Sequence, residues 1–118
     1  MDNIKDDRYY TSKMMTDLLF IQEKMSGQSF DDFINNDLLQ DSMMFRLIQI
    51  SENARKLTDS FREEQKEIPW GDVFGLRNRI VHEYGGLVLR IVYDTLTQDI
   101  PDLNKKLATI FPEDSVGR

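Results

Sequence analysis

The sequence predicts an all-α fold, an antiparallel up-and-down bundle of four to five helices that dimerises through the helix carrying its only histidine. Three observations carry the fold class. Apolar residues recur at intervals of three and four rather than two, which is helical periodicity and leaves no strand signal. Met43, Leu47, Ile50, Ala54, Leu57 and Phe61 form a 4-3-4-3-4 seam, the spacing that packs antiparallel helices. Gly27, Pro69 and Gly85-Gly86 fall between periodic stretches, where helices stop and start.

The elements follow in order. A first helix is expected from Asp7 to Ser26, with Met14, Leu18, Ile21 and Met25 on its buried stripe and Gly27 as its stop. Ser29 and Asp32 of "SFDDF" form a capping box that opens a short helical turn. A long helix is expected from Asp37 to Lys66. Pro69 of "EIPW" suits the first turn of the next helix, where a missing N–H costs little. That helix is expected to end at Gly85-Gly86. A last helix begins near Leu87 and is kinked or interrupted at Pro101, whose ring clashes with the preceding turn. Leu103, Leu107 and Ile110 resume the stripe, Pro112 closes it, and residues 113–118 form a frayed tail.

The chain has 118 residues, and no repeat, low-complexity tract or linker divides it, so a single domain over 1–118 is expected. It contains no cysteine, which excludes thiol chemistry and fits a reducing compartment. The acidic start "MDNIKDDRYY" lacks the apolar core of a signal peptide, and no apolar run is long enough to span a bilayer. A cytoplasmic protein without a membrane partner is expected. The net charge of −6 argues against broad coating of nucleic acid, and no DNA partner is expected. One stretch runs the other way: between Leu76 and Tyr93, Arg77, Arg79 and Arg90 face Glu83 alone.

That stretch holds the only histidine, His82, in "GLRNRIVHEY". Advancing about 100° per residue from Val73 places Val73, Leu76, Ile80 and Tyr84 on one core stripe. Asp72, Arg79 and Glu83 form a solvated face. The remaining arc carries Arg77, Trp70, Val81, Phe74, Asn78 and His82, and mixes large apolar groups with reactive ones. Two apolar arcs imply two packing partners, the second being another chain in a symmetric dimer. Asn78 and His82 are one turn apart and therefore neighbours. Read plainly, a lone histidine on a bundle helix is a surface or structural residue, Arg77 and Arg79 are solvated or paired with Glu83, and Trp70 and Phe74 belong to the core. A metal centre is disfavoured, because one histidine and no cysteine leave only carboxylates as further ligands.

The segment "IPWGDVFGLRNRIVHEYGG" resembles the signature of HepT-like proteins, a branch of the HEPN superfamily. The superfamily pattern is an arginine, a polar residue, a short spacer and a histidine, and the HepT branch adds a tyrosine two residues on. These positions are Arg77, Asn78, His82 and Tyr84, and a later "DIPDL" extends the likeness. The glycine pair directly after Tyr84 departs from relatives that carry a bulkier residue there. The resemblance implies a helical dimer with both motif helices lining one cleft. It further implies cofactor-free, metal-independent RNA cleavage, and the toxin role in a type VII toxin–antitoxin pair. The partner it implies is a MntA-like nucleotidyltransferase antitoxin that neutralises the toxin by adenylylating Tyr84.

On this reading His82 is the general acid or base, Arg77 clamps the phosphate, and Asn78 orients the imidazole or donates to the phosphate. Arg79 and Arg90 are weaker candidates for RNA contact. Two other readings compete. In one, the chain is a non-catalytic helical dimer that serves as scaffold or binding partner for a nucleotidyltransferase. In the other, it is a structural bundle whose histidine is incidental.

Overall fold

The α1 helix, Asp7–Met25, begins where the Asp6 carboxylate accepts the Tyr9 N–H at 3.0 Å. The computed structural model describes residues 5–83 and 89–111, with backbone alone at Arg79 and at residues 81–83. Met14, Leu18, Ile21 and Met25 are buried along α1, as the periodicity predicts. Gly27 takes φ +78°, a left-handed conformation that costs glycine little, and the chain turns out of the helix there.

The short α2 helix, Phe30–Ile34, opens on the expected capping box. The Ser29 hydroxyl accepts the Asp32 N–H at 3.0 Å, and the Asp32 carboxylate accepts the Ser29 N–H at 2.9 Å. The α3 helix, Asp37–Ala54, is capped by Asn36, whose side chain accepts the Leu39 N–H at 3.0 Å.

The single long helix expected from Asp37 to Lys66 is two helices. After Ala54 the backbone tightens: Lys56 and Leu57 donate to the carbonyls of Asn53 and Ala54, three residues back. Thr58 then turns extended and caps α4, Asp59–Glu64, by accepting the Phe61 N–H on its hydroxyl at 3.2 Å. Leu57 and Phe61 stay buried across the break, so the apolar spacing continues although the helix does not.

Pro69 stands immediately before α5, Trp70–Glu83, and its carbonyl receives the Val73 N–H at 3.1 Å. The expected end at Gly85-Gly86 and the expected start near Leu87 lie outside the described residues; α6 runs Leu89–Asp94. A π-helical turn, Thr95–Asp99, joins α6 to α7, Ile100–Ala108, and the Ile100 N–H reaches back to the Thr95 carbonyl. The wide turn makes room where the Pro101 ring would meet the Thr97 carbonyl, so the proline widens the helix instead of ending it. Leu103 and Leu107 are buried and Ile110 packs against the core. The last helix stops at Ala108 and not at Pro112: the Ile110 N–H returns to Leu107, and the Thr109 hydroxyl donates to the Lys106 carbonyl.

Side-chain pairs fix the helix directions. Asp7 meets Thr58 and Asp17 meets Arg46, so α1 and α3 run antiparallel. Arg55 reaches Phe74 and Glu52 reaches Arg77, so α3 and α5 do likewise. Arg8 lies over the Phe111 ring, which sets α7 antiparallel to α1. The core between them holds Phe33, Met14, Leu18, Ile21, Met43, Leu47, Ile50, Leu96, Ile100 and Leu107, each nearly free of solvent contact. Burying each such side chain contributes about 1.5–3 kcal/mol of transfer free energy. Among the described residues every regular element is helical, and no helix is long and apolar enough to cross a membrane.

Among the described residues one carboxylate is buried in this frame. Asp17, with 10 % of its side chain exposed, receives the Arg46 Nη1 at 2.7 Å. Burial pushes the Asp17 carboxyl above the ordinary value of 3.8, while the hydrogen bond and charge of Arg46, and the charge of Lys13, pull it back. The Arg46 guanidinium also lies over the Phe20 ring, 3.8 Å from its centroid.

Candidate active site

Helix α5 presents the residues singled out from the sequence. Val73, Leu76 and Ile80 are buried against the bundle, so the inward stripe is where the periodicity puts it. Asp72 on the expected solvated face is exposed. Tyr84, assigned to the same inward stripe, lies outside the described residues.

The second arc of α5 is covered at its start by the chain itself. Trp70 and Phe74 are half-buried, their ring centroids 6.4 Å apart and their planes 27° from parallel. The Trp70 indole donates to the Gln65 carbonyl at 3.0 Å. The guanidinium carbons of Arg55 and Arg62 each sit 5.2 Å from the centre of the Phe74 ring. These two aromatic residues are therefore part of the fold, not a free stacking platform.

The register of α3 against α5 is set at one atom. The Phe74 carbonyl oxygen accepts the Ser51 hydroxyl at 3.0 Å and the Arg55 Nη2 at 3.2 Å. Glu52 stands between those two donors on α3, and Arg77 stands one turn past Phe74 on α5. The two meet: Arg77 Nε lies 2.7 Å from Glu52 Oε2, with 41 % and 43 % of their side chains exposed. At that exposure the ion pair contributes about 0–1 kcal/mol to stability, because solvent screens it. Among the described residues no other group holds the Arg77 guanidinium. The sequence reading offered solvent or Glu83 as the partner of Arg77 and did not find Glu52. The signal for it is weak: an acid on α3 is one among many until the α3–α5 register is known.

Asn78 is exposed beside Arg77. The α5 backbone places position 82 one turn beyond Asn78 on the same face, as the spacing requires. The side chains of His82 and Arg79 fall outside the description. Arg90 stands apart on α6, where its Nε lies 3.4 Å from Asp94 and its guanidinium covers the rings of Phe30 and Tyr93 at 4.8 and 5.7 Å. Among the described residues no group of three or more histidine, cysteine, aspartate or glutamate side chains is arranged to hold a metal ion.

A further feature adjoins the Arg77–Glu52 pair. Leu38 and Phe45 stand seven residues apart on α3, exposed at 80 % and 57 %, and Glu52 is seven residues further on. Seven residues are nearly two full turns, so all three share one outward face.

Residues 14–110 match the protein family described as Ribonuclease HepT-like. The chain is 31 % identical over 111 residues to the protein named "Putative RNase TTE0752" of Caldanaerobacter subterraneus subsp. tengcongensis, covering 94 % of this chain and 99 % of that one. It is 29 % identical over 86 residues to "Probable ribonuclease HepT" of Thermococcus cleftensis, covering 73 % of this chain and 78 % of that one. It is 26 % identical over 111 residues to "Putative RNase MJ0125" of Methanocaldococcus jannaschii, covering 94 % of this chain and 93 % of that one. No solved structure matches the chain.

Proposed function

The chain belongs to the ribonuclease HepT-like family, and on that premise we propose that it cuts RNA without a metal ion, using Arg77, Asn78 and His82. RNA carries its own nucleophile, the ribose 2′-hydroxyl. A base takes the hydroxyl proton, the 2′-oxygen attacks phosphorus, and the 5′-oxygen leaves with a proton from an acid. Histidine is suited to both proton transfers at physiological pH. A guanidinium that grips the phosphate offsets the charge that builds on it during attack. His82 is thus assigned the acid–base role, Arg77 the phosphate, and Asn78 the orientation of the imidazole or a further bond to the phosphate. Arg79 and Arg90 are assigned no more than accessory RNA contacts.

The observation that carries this reading is the accessible pair of Arg77 and Asn78 on a helix that also bears position 82, within a chain of this family. The exposed α3 face of Leu38 and Phe45, in line with Glu52, supports a homodimer in which a second chain completes the cleft. The family supports the toxin role as well, with a MntA-like nucleotidyltransferase as antitoxin. AMP on Tyr84 would add phosphate charge and compete with RNA for the arginines of the site.

The test is cleavage of a single-stranded RNA by purified protein in chelator. Cutting that leaves 2′,3′-cyclic phosphate ends, and is lost in His82→Ala, is expected. Intact RNA at high protein concentration sinks the reading and leaves the non-catalytic scaffold in its place. Mass spectrometry of the chain, made alone and with the nucleotidyltransferase, reads out AMP on Tyr84.

A further inference from the structure

We infer that Glu52 is a positioning residue of the active site: it holds Arg77 by Nε and so aims the two Nη groups at the phosphate. This rests on the ribonuclease reading of Arg77 given above.

The geometry has three parts. A guanidinium offers five N–H donors in a planar fork, and a carboxylate on Nε leaves the far edge, Nη1 and Nη2, for a second bidentate partner. The Glu52 contact at 2.7 Å is made through Nε. The backbone that carries Glu52 is held against α5, because Ser51 and Arg55 on either side of it both donate to the Phe74 carbonyl. An arginine side chain without such an anchor samples many rotamers, and ordering it on each turnover costs rate.

The location separates this role from a purely structural one. Both partners are close to half exposed, so the pair adds little to the fold and remains open to a ligand. The same exposure puts a negative charge beside an incoming phosphate. Glu52 therefore has two opposed effects on the reaction: it orders the guanidinium, which raises kcat, and it repels RNA, which raises KM.

The experiment compares the full-length wild type with Glu52→Ala and Glu52→Gln in steady-state cleavage of one RNA oligonucleotide, with melting temperatures measured alongside. Alanine removes the acceptor, whereas glutamine keeps an oxygen for Nε without the charge. The expected result is a kcat about tenfold or more below wild type in Glu52→Ala, and a kcat largely restored in Glu52→Gln. KM should fall below wild type in both variants, and all three proteins should melt together. A kcat for Glu52→Ala within twofold of an active wild type overturns the inference and leaves the ribonuclease reading standing. So does a kcat for Glu52→Ala above wild type, which would make Glu52 a competitor for Arg77, or a loss that tracks melting temperature. An inert wild type removes the ribonuclease reading and this inference with it.

Discussion

Asp7, in the first turn of α1, binds Thr58 twice: it accepts the Thr58 backbone N–H at 2.8 Å and the Thr58 hydroxyl at 2.7 Å. The same hydroxyl oxygen accepts the Phe61 N–H, so one side chain from the start of the chain fixes the cap of α4. Asp7→Ala is expected to destabilise the protein by about 1–2 kcal/mol. Thr58→Ala should cost a similar amount. The double variant should cost much less than the sum, because both changes delete one network. Urea midpoints for the four proteins check this, and additive losses would count against it.

The Asp7–Thr58 contact also explains which parts of the fold were legible in the sequence. The buried stripes of α1, α3, α5 and α7 follow from periodicity alone, since each apolar position must find the core. The Ser29–Asp32 box and the Gly27 stop are local chemistry and were readable for that reason. The break between α3 and α4 was not, because Leu57 and Phe61 keep the apolar spacing through it. A Thr-Asp pair at 58–59 is an N-cap signal, but the seam outweighed it until a contact 51 residues distant fixed the turn. Glu52 was hidden for a related reason: nothing near Arg77 in sequence announces a partner on α3. The positions of Arg77 and Asn78 on α5 were legible from helical spacing, whereas the groups around them depend on how helices register.

The Tyr93 hydroxyl donates to the Gln28 carbonyl at 2.8 Å, and its ring packs against Phe30 and Phe33. These contacts tie α6 to the turn between α1 and α2. Tyr93→Phe should cost about 1 kcal/mol, the net value of one hydrogen bond. Phe33→Ala should cost about 3–5 kcal/mol, since Phe33 is fully enclosed and its removal leaves a cavity. Thermal unfolding of the two variants should rank them in that order. A Tyr93→Phe variant as damaged as Phe33→Ala would refute the division.

Asp17 and Arg46 give a stability that depends on pH with a definite sign. Burial raises the Asp17 carboxyl above 3.8 in the folded chain, so the folded state binds more protons than the unfolded state just above that value. The stability that protonation lends is present below 3.8 and is lost as pH rises through the folded value. Asp17→Asn lacks this slope, so wild type should lose stability relative to it as pH is raised from the ordinary carboxylate value of 3.8 toward neutrality. Arg46→Met removes the bond and the charge that hold the carboxylate down. It should cost roughly 3 kcal/mol at neutral pH and less near pH 4, where the orphaned acid takes up a proton. Equal losses at both pH values would show that Asp17 carries no buried charge.

Arg77→Lys tests whether the guanidinium fork itself is used. Lysine keeps the positive charge and can still meet Glu52, but it presents one ammonium in place of a planar pair of donors. If Arg77 served only the α3–α5 contact, the exchange would be nearly silent, because an ion pair exposed at 41 % and 43 % adds little to stability. If it holds the phosphate through Nη1 and Nη2, kcat/KM should fall by about a hundredfold while the melting temperature stays within a few degrees of wild type. The loss should appear in kcat more than in KM, since charge on the phosphate grows toward the transition state and a bidentate grip meets that growth where a single ammonium does not. A lysine variant that cleaves RNA at the wild-type rate would remove Arg77 from the chemistry and leave it a surface charge on α5.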